Sequence, residues 1–311
     1  TYRDAGRAGE SRVAAQNSSD TTSADVELEI AISNFGANIS LDKTVYDWTD
    51  TVNIEVVAPD HNKNSNAKET IGTASLPVKV STRAGAMCSS TYTLKESGED
   101  TGIFVGYIVL SGTSQTINGN TTHTPTSKVC SGPEGGIMTT AGQDDGVTVT
   151  YEYNDGSVAL ASAIIQWNYS SIEFLESSVA ADGTVTIRAV DPDEDLDDTV
   201  IDQVTIDVYS DSDSGGVTKT LSETDEGTGI FEGTINFTST AISSGDTLRV
   251  SEGDTVTAEI TDYNLPGPDY TSSDNLLFAA TTTVGTAFPP LERAPAANAR
   301  VVDASGNSVA E

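Results

Sequence analysis

Apolar and polar residues alternate along most of the chain. In TVNIEVV, Val52, Ile54 and Val56 fall on one side of an extended segment and Asn53 and Glu55 on the other. In TVTIRAV, Val185, Ile187 and Ala189 do the same around Thr186 and Arg188. A period of two marks a strand with one face buried. Such segments recur roughly every 10–20 residues, punctuated by Gly, Asp, Asn and Ser, and no long stretch carries the helical period. The predicted fold class is therefore all-β: tandem immunoglobulin-like β-sandwich domains, not βαβ units.

The pattern is also repeated. ESGEDTGIFVGYIVL, from Glu96 to Leu110, lies without a gap over ETDEGTGIFEGTINF, from Glu223 to Phe237. TVNIEVVAPDHNKN (Thr51 to Asn64) lies over TVTIRAVDPDEDLD (Thr184 to Asp197), and GVTVTYEYND (Gly146 to Asp155) resembles DTVTAEITDYN (Asp254 to Asn264). A repeat of roughly 115–130 residues suits a sandwich domain and is too long for a solenoid or a propeller blade. Within the shared phrase, Gly102 and Gly229 would permit a tight turn or bulge, and the Ile-Phe pairs would anchor the core. Gly106 and Gly233 would mark the close approach of a neighbouring strand.

The ends suggest a piece of an array. DVELEIAISNFGANISLD (Asp25 to Asp42) can be laid on SVALASAIIQWNYSSIEF (Ser157 to Phe174). Residues 26–33 then resemble the closing strand of a domain. We expect residues 1–36 to hold the C-terminal strands of an upstream repeat, and residues 37–168 an Ig-like domain with a cysteine-bearing insertion. Residues 169–286 would form a second domain with Asp-rich loops, and 287–311 a linker and the start of a further module. The rival expectation is a filament or adhesin subunit, in which Thr1 to Asn34 or Asn275 to Val284 is donated as a strand to a neighbour.

Charge narrows the partners. The 311 residues carry 15 Lys and Arg against 47 Asp and Glu, a formal charge of −32. That excess repels nucleic acid and anionic membrane surfaces and attracts cations. No apolar run reaches the ~18 residues that span a bilayer, and the first residues lack the apolar core of a signal peptide. Cys88 and Cys130 both fall in the first repeat, and an even count in a chain of secreted character points to a disulfide. Sequons at Asn17, Asn38, Asn120, Asn168 and Asn236 fit an extracellular setting and are candidate glycosylation sites.

Catalytic signatures are missing, so no enzyme is expected. His61 and His123 stand beside no Ser or Cys nucleophile, and there is no G-x-S-x-G or phosphate-binding loop. The acidic loops are the candidate chemistry. DPDEDLDD supplies Asp191, Asp193, Asp195, Asp197 and Asp198, ETDEG supplies Glu223, Asp225 and Glu226, and DYN supplies Asp262 and Asn264. At one pole of a sandwich these carboxylates repel unless a hard cation lies among them, and Ca2+ takes about 6–8 oxygens from such loops. The spacing is not that of an EF-hand. The first repeat offers a thinner set: Asp60, Asn62, Asn64, Glu96, Glu99 and Asp100. A solvated acidic loop is the alternative.

LDKTVYDWTDTVNIEVVAPDHN, ESGEDTGIFVGYIVL and VVDASGNSV resemble repeat segments of the surface-layer proteins of ammonia-oxidising archaea. The resemblance covers nearly the whole chain through short strand motifs. It implies Ig-like domains that self-assemble with identical subunits into a porous, acidic, extracellular lattice, supported by divalent cations and favouring the passage of cations. In the first repeat, Asn62 and Asn64 stand where the second has acids, a departure from a full ligand set.

Overall fold

The structure is a computed structural model that describes residues 10–15, 26–31, 35–87, 92–117 and 121–285. Glu10–Ala15 pairs antiparallel with Val26–Ala31 in a sheet of their own. The remainder is all-β: two Ig-like sandwiches in tandem, each with its own core. No helix among the described residues is long and apolar enough to cross a membrane.

In the first sandwich one sheet runs Asn38–Leu41, Thr51–Val57, Ile103–Leu110, Leu94–Glu96, Thr70–Ile71. The other runs Val45–Tyr46, Ser157–Gln166, Asp144–Asn154, Val78–Thr82, Gly85–Ala86. The alternation does what its period predicts: Val52, Ile54 and Val56 are buried against Val80, Val147, Val149 and Ile165, while Asn53 and Glu55 face solvent. In the second sandwich Val185, Ile187 and Ala189 play the same part against Val208, Val256 and Ala258. There the two halves form one continuous sheet. Asp213–Glu223 hairpins with Gln203–Ser210, then hands Ser222 and Glu223 across to Ile230–Thr238.

The opening segment of each sandwich serves both halves. Asn38–Leu41 and Ser171–Phe174 lie antiparallel to Thr51–Val57 and Thr184–Val190. A few residues later Val45–Tyr46 and Ser178–Val179 run parallel to the closing strands, Ser157–Gln166 and Leu276–Val284. Leu276–Val284, a candidate donated strand, is thus seated inside its own domain between Thr255–Asp262 and Ser178–Val179. The shared phrase, whose strands belong to the common core, lies in the chain between the two cysteines that the expected insertion holds. Cys130 is disulfide-bonded, and Cys88 lies outside the described residues.

The shared phrase is a keystone built the same way twice. Gly102 and Gly229 have φ of +62° and +60°, a region that L side chains avoid. Their carbonyls accept the N–H groups of Ala58 and Asp191, both at 2.8 Å. Phe104 and Phe231 are fully buried, as expected, whereas Ile103 and Ile230 are only half-buried. A Cβ on Gly106 or Gly233 would come 2.7 Å from Leu94 Cδ2 or Leu221 Cδ2, so the neighbouring strand does approach closely there.

A candidate cation centre at the junction of the sandwiches

The leading Glu of each phrase is tied into the keystone. Glu96 Oε1 accepts from the N–H groups of Thr101 (2.8 Å) and Gly102 (2.7 Å), and its Oε2 from Glu69 N–H (3.1 Å). Glu223 repeats the set: Thr228 N–H at 2.6 Å, Gly229 N–H at 2.7 Å and Asp202 N–H at 3.1 Å. Burial works to raise the Glu96 carboxyl, but the Gly102, Glu69 and Thr101 bonds outweigh it and hold it down at about 2. Sequence reasoning offered these two residues as cation ligands; the fold uses both first as acceptors for backbone.

Around the second keystone the acids gather in two groups. The outer group is Asp195, Asp202 and Glu223, each with an oxygen within 4.8 Å of the others. Oxygens bound to one Ca2+ at about 2.4 Å can be no farther apart than that. Left bare, a pair at this spacing repels by about 3.5 kcal/mol at an effective dielectric of 20. Burial, then the charges of Glu223, Asp202 and Asp198, push Asp195 up to about 7, and its Oδ1 is buried without a hydrogen-bond donor.

The inner group is deeper. Asp191, Asp193, Glu194 and Asp262 are 2%, 0%, 8% and 1% exposed. The ion pairs among the described residues use other acids: Lys43 with Asp50, Arg188 with Glu173 and Glu232, and Lys219 with Asp246. Local donors satisfy part of the inner group. Ser170 Oγ–H donates to Asp191 Oδ2, Ser170 N–H to Asp262 Oδ2 (2.9 Å) and Asn264 N–H to Asp262 Oδ1 (2.8 Å). Asn168 N–H donates to Asp193 Oδ2, but Asp193 Oδ1 is enclosed with no donor at all. Burial, then the charge of Asp262, raises Asp191 to about 7; burial, then Asp191, drives Asp193 and Glu194 well above the ordinary carboxyl range. Such a donor set, all oxygen and short of protons, suits a hard divalent cation.

The first sandwich contributes to this place. Its turn at Asp47–Thr49 sits against the acidic loop: Trp48 Nε1–H donates to Asp193 O at 2.9 Å and the Thr49 hydroxyl to Asp195 O. Asn168, from the connection, donates through Nδ2 to Asp47 Oδ1 at 2.6 Å. Trp48 and Trp167 pack edge to face, their ring centroids 5.8 Å apart, and both are buried.

Several expected ligands lie elsewhere. Asp225 and Glu226 are exposed at the tip of their turn, where Asp225 accepts from Glu226 N–H. Asp197 caps its own turn through Thr199, and Asp198 is half-buried behind Gly227. The buried Asn264 side chain sits against the carbonyls of Thr116 and Tyr263, and its backbone N–H is the one that donates to Asp262 Oδ1. In the first repeat Asp60 takes the Phe35 N–H, Asn64 takes the Asn66 N–H, and Glu99 is exposed. Asn62 donates to Asp100, which has φ +67°, so an amide fills part of the space that Asp195 leaves charged in the second repeat. Its Oδ1 and the neighbouring Glu69 Oε2 are nonetheless buried without donors. Of the sequons, Asn38 and Asn236 are exposed and Asn17 and Asn120 lie outside the described residues. Asn168 is a poor acceptor for glycan, because its amide nitrogen is bound to Asp47.

Four participants escaped the sequence reading: Asp47, Glu194, Asp202 and Glu69. The last two overlay each other in the same register as Asp60 and Asp193, and each occupies the same place in its own domain.

No protein-family model matches the chain, and no curated protein matches it. Among solved structures it is similar to the Escherichia coli adhesin FdeC, at 14% identity over 90% of this chain and 74% of that one, with a TM-score of 0.26. It is also similar to the Yersinia pseudotuberculosis adhesin InvE, at 10% identity, 80% and 59% coverage and a TM-score of 0.23. A third is red sea bream transglutaminase, at 7% identity, 82% and 32% coverage and a TM-score of 0.24. The chain spans 59% of the Yersinia adhesin and 32% of the transglutaminase. Likeness of this degree carries no functional argument.

Proposed function

We propose that the chain is a structural, non-catalytic segment of an extracellular surface layer, built from tandem Ig-like modules and supported by Ca2+. The observation that carries the reading is the inner acidic group: carboxyls at 0–8% exposure with no Lys or Arg paired to them among the described residues. Burying ionised carboxyls without a counter-charge costs several kcal/mol each, so the site needs either protons or a cation. At neutral pH a multivalent cation meets that need without perturbing the fold. The formal charge of −32 extends the same preference over the surface, where it would draw cations and exclude anions.

In this reading the acids hold the ion, the keystone glutamates hold the loops that present the acids, and nothing is turned over. Self-association with identical subunits would place the acidic surfaces around openings in a sheet. Electron micrographs of the native assembly, with and without EDTA, test the proposal. Ordered sheets that dissolve or melt earlier on chelation are expected. Sheets indifferent to EDTA would remove the Ca2+ part, and fibres would favour a filament or adhesin subunit.

A further inference from the structure

One sheet of the first sandwich is apolar on the side that faces away from its core. Along Ser157–Gln166 alternate side chains point outward, and Val158, Leu160 and Ile164 are 55%, 63% and 55% exposed. Val45, 42% exposed, stands beside Ile164 on the parallel rung and widens the stripe. On the other flank Val158 pairs with Glu152, Leu160 with Thr150 and Ile164 with Gly146, and Lys79 lies next to Thr150. Across these rungs the face carries one acid and one base, in a chain with 47 acids and 15 bases. Single exposed apolar residues are ordinary, but a contiguous stripe of them marks a contact surface.

The second sandwich shows what this face becomes when nothing covers it. Its sheet is built on the same rungs, with Ser178 beside Thr283 as Val45 is beside Ile164. Counted from that rung, Ile164 and Leu160 are replaced by Thr283 and Ala279. In the neighbouring strands Thr150 and Lys79 are replaced by Glu259 and Asp207. The inward positions of the same strands stay apolar in both copies, with Val80 and Val149 matched by Val208 and Ala258. The core therefore has the same demands in both copies, and only the outward face has changed, from acidic and polar to aliphatic and neutral.

We infer that this neutral face of the first sandwich is where a second copy of the chain docks, stripe against stripe. This rests on the self-association in the reading above and names the face through which it runs. Charge selects the occupant. Two bodies of formal charge −32 repel wherever their acidic surfaces meet, and these rungs, with no net charge, let like copies approach. A basic partner would gain nothing here and would be drawn to the acidic surface instead. A two-fold contact buries the same stripe on both copies, so one set of residues supplies both sides. The four strands cover about 440 Å2 in projection, at ~3.3 Å per residue and ~4.8 Å between strands. Twice that area falls below the ~1,200 Å2 of stable interfaces, so the contact is weak and reversible, as suits an assembly with several contacts per subunit.

Sedimentation velocity on the full chain over a range of concentrations, with Ca2+ present throughout, tests the face. Wild type should associate reversibly, and more tightly as added NaCl screens the acidic surfaces. Leu160→Glu should weaken association roughly 30-fold or more. Leu277→Glu, exposed on the matching face of the second sandwich, should associate as wild type does. Ser162→Cys, in the middle of the stripe, should form a disulfide-linked dimer on oxidation, and Thr281→Cys, at the matching place in the second sandwich, should not. A wild type that stays monomeric throughout overturns the proposal and leaves the face to some other partner. Leu160→Glu associating as tightly as wild type also overturns it: the copies then meet elsewhere, for instance through cation bridges, and the surface-layer reading stands. Fibres in micrographs would remove the surface-layer reading, whereas a dimer lost in Leu160→Glu would still support this face. Should Leu160→Glu fail to fold, the contrast between Ser162→Cys and Thr281→Cys decides.

Discussion

Gly229→Ala asks how firmly the keystone holds the acidic loop. At φ +60° an L-residue costs about 1–2 kcal/mol from its own backbone. An added Cβ would also stand 2.7 Å from Pro192 Cα and 3.1 Å from Pro192 N, backbone atoms that no rotamer change can move. Relief requires shifting the Pro192–Glu194 turn, and overpacking of that kind costs about 1–3 kcal/mol. The expected loss is therefore about 2–5 kcal/mol, or roughly 2–4 °C of melting temperature per kcal/mol. Two controls divide the terms. Gly156 has φ +72° with nothing within 4 Å of an added Cβ, so Gly156→Ala should cost only the backbone part, about 1–2 kcal/mol. Gly102→Ala meets Pro59 Cα at 2.9 Å and should lose nearly as much as Gly229→Ala, but in the sandwich that lacks the inner acidic group. Urea unfolding, read on the transition of the altered domain, measures the losses, and CaCl2 titration of each folded variant measures binding. Only Gly229→Ala should weaken Ca2+ binding. Equal costs for Gly229→Ala and Gly156→Ala would show that the turn yields freely and that the contact argument is wrong.

Three further outcomes are expected. The folded Glu96 carboxyl titrates at about 2 and an unfolded one near 4.3. Its contribution is complete above the higher value and is lost as pH falls towards the lower, so Glu96→Gln should flatten stability against pH in that window, as followed by denaturant midpoints. Asp191 and Asp195 run the other way, raised to about 7 by burial and neighbouring charge. Without metal, the folded chain then keeps protons that the unfolded chain releases between about pH 4 and 7. Melting in EDTA should therefore rise as pH is lowered from 8 to 5.5, and saturating Ca2+ should remove that gain. Finally, Cys130→Ser should cost about 2–4 kcal/mol in the first sandwich, seen by chemical unfolding under non-reducing conditions, and leave the second transition in place.

The strands and their duplication were legible because burial imposes a period of two. Phe104 and Phe231, or Val56 and Ala189, must fall on the inner face wherever the chain folds this way. The poles were legible only in part. The sequence shows that Glu96 and Glu223 are acids near other acids, but not that three backbone N–H groups converge on each, since those donors carry no side-chain signature. Asp225 and Glu226 read as strongly as Asp195, yet a turn that points outward leaves them in water. Asp202 could have been found, because Glu69 occupies its place in the first copy at the spacing of the whole repeat. Asp47 could not. Asn168 links it to Asp193 only because one domain lands on the next, a meeting that no local pattern encodes.

The parallel rungs that tie each opening segment to its closing strand have a mechanical consequence. Val45–Tyr46 beside Ile164–Ile165, and Ser178–Val179 beside Thr283–Val284, join the two ends of each sandwich. Tension applied through the chain pulls these paired strands past each other in opposite senses, so the rungs are sheared together instead of being peeled one by one. A sheet woven from such units would carry lateral tension along its backbones and yield abruptly at a threshold force, not creep under load.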